Sequence, residues 1–140
     1  MKLYLLIFFV SVFFLGCSDK TASDKAQEKA LLDEVIKAHN KMMATDDQLM
    51  KNKMQLDTIS AHNPPQVVKD SAQFYIKKLN DADAGMDNWM HKFDPEFKGK
   101  GHEDIMTYLS DQKKQVAAID SQINLAIASS GKYLTKIKAK

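Results

Sequence analysis

The sequence predicts an all-α fold: an antiparallel three-helix bundle with long coiled-coil-like helices. Strong breaks are confined to Asn63-Pro64-Pro65 and to residues 94–101. In the three segments that these breaks define, apolar residues recur at three- and four-residue steps, and no stretch shows a sustained period of two. Long segments joined by short breaks favour antiparallel neighbours, and the apolar period near 3.5 predicts a left-handed twist.

The first segment carries an apolar stripe that includes Val35, His39 and Met43. On a wheel that advances about 100° per residue, His39 lies about 40° from each of the other two, so we expect its imidazole to be buried. Further along, Thr45-Asp46-Asp47 makes a bend possible, and a bend would divide this segment into two helices.

The second and third segments show clearer heptad patterns. Asn63 is expected to cap the second helix, with Pro64 and Pro65 in its first positions, while Glu103 and Asp104 fit the first turn of the third. The side chains expected in the core are Val68, Ala72, Tyr75, Leu79, Ala82, Met86, Trp89 and Phe93 in the second segment, and Ile105, Leu109, Gln112, Val116, Ile119, Ile123 and Ala126, then Ser130, Tyr133 and Leu134, in the third.

The amino end is typical of a secretory signal. A positive Met1-Lys2 precedes an apolar run over residues 3–15, which is too short for the roughly 20 residues of a membrane-spanning helix. The run ends in Phe14-Leu15-Gly16-Cys17, which resembles the lipobox of bacterial lipoproteins. That resemblance implies cleavage before the cysteine, followed by lipid attachment to Cys17.

These features predict the organisation of the whole chain. We expect a lipoprotein signal peptide over 1–16, a short flexible tether over 17–25 and a helical bundle domain over 26–140. Ser18 stands where an Asp would favour retention in the inner membrane, by analogy with enteric lipoproteins. The sequence therefore predicts a cell-envelope protein anchored by lipid, in the outer membrane and facing the periplasm or the surface.

The distribution of charge and the absence of catalytic motifs exclude several classes of function. Twenty lysines and 18 acidic residues are mixed along the chain, which argues against nucleic-acid binding. The single cysteine excludes an internal disulfide, and the chain contains no phosphate-binding loop, nucleophile elbow or zinc motif. We therefore expect no enzymatic activity and no cofactor.

Two site hypotheses remain for the bundle. Asp83 lies within the apolar stripe of the second segment, and we expect it to form a buried hydrogen-bonded pair with His39 that fixes the helix register. The alternative is a ligand site, because imidazole and thioether groups suit copper and can also ligate haem iron. Its candidate ligands are His39, Met43, Met86 and Met90.

Several stretches resemble a family of short Bacteroidota lipoproteins that carry the description "viral A-type inclusion protein". They are Leu31-Leu32-Asp33-Glu34-Val35 with His39 and Met43, Ala82-Asp83-Ala84-Gly85-Met86-Asp87-Asn88-Trp89-Met90, and His102 to Leu109 with Gln112-Lys113-Lys114. The resemblance covers most of the mature chain. It implies a lipoprotein, and the family description implies no particular activity.

Two functions from different classes follow. The first is a membrane-anchored, non-enzymatic structural or protein-interaction module that contacts another envelope protein. The second is a small-ligand binding bundle for copper or haem, which uses His39 and the methionines. The metal content and colour of the purified protein distinguish them.

Overall fold

A computed structural model of the chain describes residues 17–138, with side chains from residue 20 onward. This part of the chain contains no strand and forms four helices, α1 (Cys17–Met43), α2 (Asp46–Ala61), α3 (Gln66–Lys92) and α4 (His102–Lys138). The predicted all-α class is confirmed, and the helices form a bundle. The signal peptide predicted over 1–16 lies outside the described residues.

The first predicted segment forms two helices instead of one. α1 ends at Met43, and the Thr45 hydroxyl and amide both donate to the Met42 carbonyl, at 2.7 and 2.9 Å. These bonds close the last turn, and α2 restarts with Asp46 and Asp47 in its first turn. The break lies where the sequence allowed a bend.

Residues 17–25, predicted to form a flexible tether, belong to α1. This part of the prediction was wrong because an apolar period is not required for helix formation where side-chain contacts hold the segment. Asp24 and Glu28 face His102 at the start of α4, with oxygen–nitrogen distances of 3.8 and 2.8 Å. Helix propagation then adds one backbone hydrogen bond per residue.

The side chains that link the helices reveal their directions. Tyr133 donates to the Val68 carbonyl at 3.2 Å and Trp89 donates to Gln112 at 2.8 Å, so α3 and α4 run in opposite directions. Lys138 donates to Gln55 at 3.0 Å, and His102 contacts Glu28, so α4 runs in the same direction as α1 and α2. α4 packs against all three other helices, and α2 also packs against α3.

The core confirms the two later heptad series. Every side chain expected in the core of the second and third segments is buried or partly buried. In α1 and α2 the fully buried row is Val35, Met42, Leu49 and Leu56, each at most 2% exposed. His39 lies at the margin of this row and is only partly buried, so the expectation of a buried imidazole was wrong.

The loop between α2 and α3 and the loop between α3 and α4 are stabilised in different ways. Asn63 does not cap α3, which begins at Gln66 without a side-chain cap; instead Asn63 adopts a positive φ of 49°, which asparagine tolerates better than most residues. In the longer 93–101 connection, the Tyr108 hydroxyl accepts from the Asp94 amide at 2.8 Å. The rings of Phe93 and Phe97 both contact the ring of Tyr108, which attaches this loop to α4.

Candidate functional site

The predicted lipid attachment point is the first residue of α1. The lipidation of Cys17 stays a prediction, since it depends on chemistry at a side chain outside the described set. Within residues 17–138, none of the helices combines the length and hydropathy that crossing a bilayer demands.

His39 faces α3 from α1. Its Nδ1 lies 3.1 Å from Asn40 Oδ1, its Nε2 lies 3.3 Å from Met90 Sδ, and its ring centroid lies 5.6 Å from that of Trp89. No hydrogen bond joins His39 to Asp83 among the described residues, so the predicted pair is wrong. Met90 is seven residues beyond Asp83, and the actual register therefore differs from the predicted one by two helical turns.

Asp83 lies further along the same groove, in a cleft of about 120 Å³ between the α1–α2 break and α3. Asp46 and Asp87 line this cleft with it. Burial raises the pKa of the Asp83 carboxyl above its ordinary value of 3.8, the charges of Asp87 and Asp46 raise it further, and Lys53 acts in the opposite direction. Ionisation of this carboxyl therefore costs more free energy in the folded protein than in water.

This shift predicts a pH-dependent effect of Asp83→Asn. A raised folded-state pKa means that Asp83 opposes folding once it is ionised, and that this cost disappears when the pH falls below about 3.8. At neutral pH the free energy of unfolding of the variant should therefore exceed that of the wild type. The difference should be less than about 1 kcal/mol, because the site is partly solvated. Urea unfolding at several pH values measures this, and the gain should vanish at acidic pH.

Asp81→Asn provides the matched control. Asp81 is exposed on the same helix and pairs with Lys77 at 2.6 Å, so its neutralisation should have a small effect of the opposite sign. A stabilisation by Asp83→Asn that persists unchanged at pH 3 would contradict the proposed origin.

A buried polar cluster joins α2 to α4 and was not predicted. Asn52, 3% exposed, donates to Ser130 Oγ at 2.8 Å and to the Ile127 carbonyl at 3.0 Å, and it accepts from Gln48 at 2.7 Å. Asn52 follows Leu49 by three residues and precedes Leu56 by four, which is the spacing of a core position. That spacing was the available signal.

A second buried polar contact explains a glutamine in the core series. Trp89 is 5% exposed, and its indole N–H donates to Gln112 Oε1 at 2.8 Å. A buried indole nitrogen needs such an acceptor. The apolar pattern located both residues, whereas the bond between them depends on helix register.

The other histidines differ in their surroundings. His62 and His91 are exposed, and the Nδ1 of each lies 2.7 Å from the backbone carbonyl oxygen four residues earlier in the chain. His102 is partly buried at the start of α4, and its Nδ1 lies 2.8 Å from Glu28 Oε1. The two residues are 74 positions apart in the sequence, so no local sequence pattern could predict this contact.

The candidate metal ligands lie near one another. Met43, Met86 and Met90 line the same cleft, and Met90 contacts His39. Within the part of the chain that the structure describes, no three His, Cys, Asp or Glu side chains converge in a way that could hold a metal ion.

Comparison with known proteins adds no relative. The chain matches no protein-family model, and no curated protein or solved structure is significantly similar to it.

Proposed function

We propose that this protein is a lipid-anchored lipoprotein of the outer membrane whose helical bundle acts as a non-enzymatic structural or protein-interaction module. The lipobox-like sequence that ends at Cys17 supports the anchor. The bundle supports the second half of the proposal, because its surface carries apolar side chains in an ordered row. The antiparallel, coiled-coil-like packing that the heptad period predicts would make this surface rigid.

The observation that carries the proposal is an apolar row formed by Ile36, Met43 and Met50. Their side chains are 39%, 40% and 40% exposed, and they recur every seven residues. Each follows a core residue directly, so the row lies beside the core row, and its central member Met43 lines the cleft against α3. An ordered set of exposed apolar side chains is typical of a surface that contacts another protein.

Site-specific crosslinking in intact cells tests this surface. A photocrosslinking amino acid at position 36 or 50 should give one discrete crosslinked species, because these positions lie at the expected interface. The control is position 125, since Leu125 is 70% exposed on α4 and lies outside the row. Equal crosslinking at all three positions, or crosslinking at 125 alone, would contradict the proposal.

The proposed lipid attachment to Cys17 can be tested separately. Cys17→Ser should abolish incorporation of labelled palmitate and release the protein from the membrane fraction, because the acyl chains supply the membrane affinity. The bundle should stay folded, since position 17 lies outside every apolar series of the sequence. Metabolic labelling, membrane fractionation and far-UV circular dichroism measure the three outcomes.

Ser18→Ala is the matched control, because it changes the next residue and leaves the acylated thiol in place. It should keep full labelling. Undiminished palmitate incorporation in Cys17→Ser would remove the anchor from the proposal.

A further inference from the structure

Two pairs of side chains with metal-binding chemistry face each other across the groove between α1 and α3. His39 and Met43 are four residues apart on α1, and Met86 and Met90 are four residues apart on α3, so each pair shares a helix face. The helix register brings His39 to Met90, while Met43 lines the cleft together with Met86 and Met90.

The separation of His39 and Met90 suits two ligands of one metal ion. Metal bonds of about 2.0 Å to imidazole nitrogen and about 2.3 Å to sulfur, at a tetrahedral angle, place the two donor atoms about 3.5 Å apart. The observed distance from Nε2 to Sδ is 3.3 Å. Haem iron between the same atoms as opposite axial ligands would need about 4.3 Å, the sum of those two bonds, so this arrangement favours a single ion over haem.

Asn40 orients the imidazole. Asn40 Oδ1 lies 3.1 Å from His39 Nδ1 and can accept its proton. Histidines that bind metals commonly donate the proton of the other ring nitrogen to such an acceptor, which fixes the tautomer. In this tautomer the Nε2 lone pair points at the Met90 sulfur, and a cation between these two electron-rich atoms would bind both.

The donor set selects the metal. Thioethers are soft ligands that select Cu(I), and imidazole also suits copper. Asp46, Asp83 and Asp87 line the same cleft, and their negative charge favours a cation without any need to ligate it. Met43 and Met90 are 40% and 36% exposed, so an ion can reach the groove from solvent.

We propose that the His39 imidazole and the Met90, Met86 and Met43 thioethers bind one Cu(I) ion in the groove between α1 and α3. This site goes beyond the interaction function proposed above and shares only Met43 with the apolar row. Its ligands come from two helices, so occupancy would also link α1 to α3.

Anaerobic titration of the detergent-solubilised full-length protein with Cu(I), held by a coloured Cu(I) chelator, tests the site. We expect removal of one equivalent from the chelator. Fluorescence of Trp89 should be quenched with the same stoichiometry, because its ring lies 5.6 Å from that of His39 and it is the only tryptophan. In the metal-free protein, nitrogen chemical shifts should report the proton of His39 on Nδ1.

Single substitutions separate the site from general copper affinity. His39→Leu and Met90→Leu should each weaken Cu(I) binding by at least about tenfold, and the partial exposure of both side chains makes the variants foldable. His91→Leu and Met54→Leu are the matched controls, since both residues are exposed, and they should bind as the wild type does. Failure of the wild type to take Cu(I) from the chelator, or equal affinity in all four variants, would overturn the proposal.

Discussion

Trp89→Ala should lower the free energy of unfolding by about 3 to 5 kcal/mol, among the largest losses for a single substitution in this bundle. The indole is 5% exposed, stacks on Phe93 with ring centroids 4.8 Å apart, and donates to Gln112. Its removal leaves a large void and an unpaired buried amide oxygen. Urea unfolding followed by far-UV circular dichroism measures the loss without relying on tryptophan fluorescence.

Two substitutions test this explanation. Trp89→Phe keeps most of the packing and removes the N–H donor, so it should cost about 1 to 3 kcal/mol from the unpaired Gln112 oxygen. Phe74→Ala removes an aromatic ring that is 55% exposed on the same helix, and it should cost about 0.5 kcal/mol or less. If Trp89→Ala costs no more than Phe74→Ala, the inward packing of the indole is refuted.

Asn52→Ala is expected to cost about 2 to 4 kcal/mol. The substitution removes three hydrogen bonds, each worth about 0.5 to 1.5 kcal/mol, and it opens a void at a position that is 3% exposed. Ser130 and Gln48 lose a partner at the same time. Urea unfolding monitored by Trp89 fluorescence measures the loss.

A double-mutant cycle identifies the source of this energy. Asn52→Ala and Ser130→Ala should show an interaction energy of about 0.5 to 3 kcal/mol, because the two side chains share one bond in the core. Ser71→Ala is the control, since Ser71 bonds only within its own helix at 2.7 Å, and its effect should add to that of Asn52→Ala. Additivity between Asn52 and Ser130 would show that their hydrogen bond contributes nothing measurable.

The heptad pattern predicted which faces of α3 and α4 are buried, and it could not predict the register of one helix against another. We paired His39 with Asp83, whereas the structure pairs His39 with Met90, one heptad away. A shift of seven residues leaves every core position opposite another core position, so hydrophobic burial barely distinguishes the two arrangements. Specific contacts such as that of His39 with Met90 distinguish them, and these join residues far apart in sequence.

The orientation of α1 was harder to predict because its apolar residues form two adjacent rows. Val35 and Met42 are buried, while the residues that follow them, Ile36 and Met43, are about 40% exposed. The sequence alone presents the two rows as one broad apolar stripe. Because His39 lies in the middle of that stripe, its imidazole was expected to be buried. Composition does not separate a core row from a neighbouring row of the same chemistry, so only the packing of α4 against α1 decides which row is inside.

The continuity of α1 from Cys17 also determines how far the apolar row would stand from a membrane. Acyl chains on Cys17 would be attached directly to a continuous helix. A flexible linker in its place would let the bundle move freely above the bilayer. At about 1.5 Å per residue, Ile36 would lie up to about 28 Å above the anchor if the helix stood upright. In that upright orientation a shallow receptor in the same leaflet could not reach this surface, and the geometry would select partners tall enough to meet it.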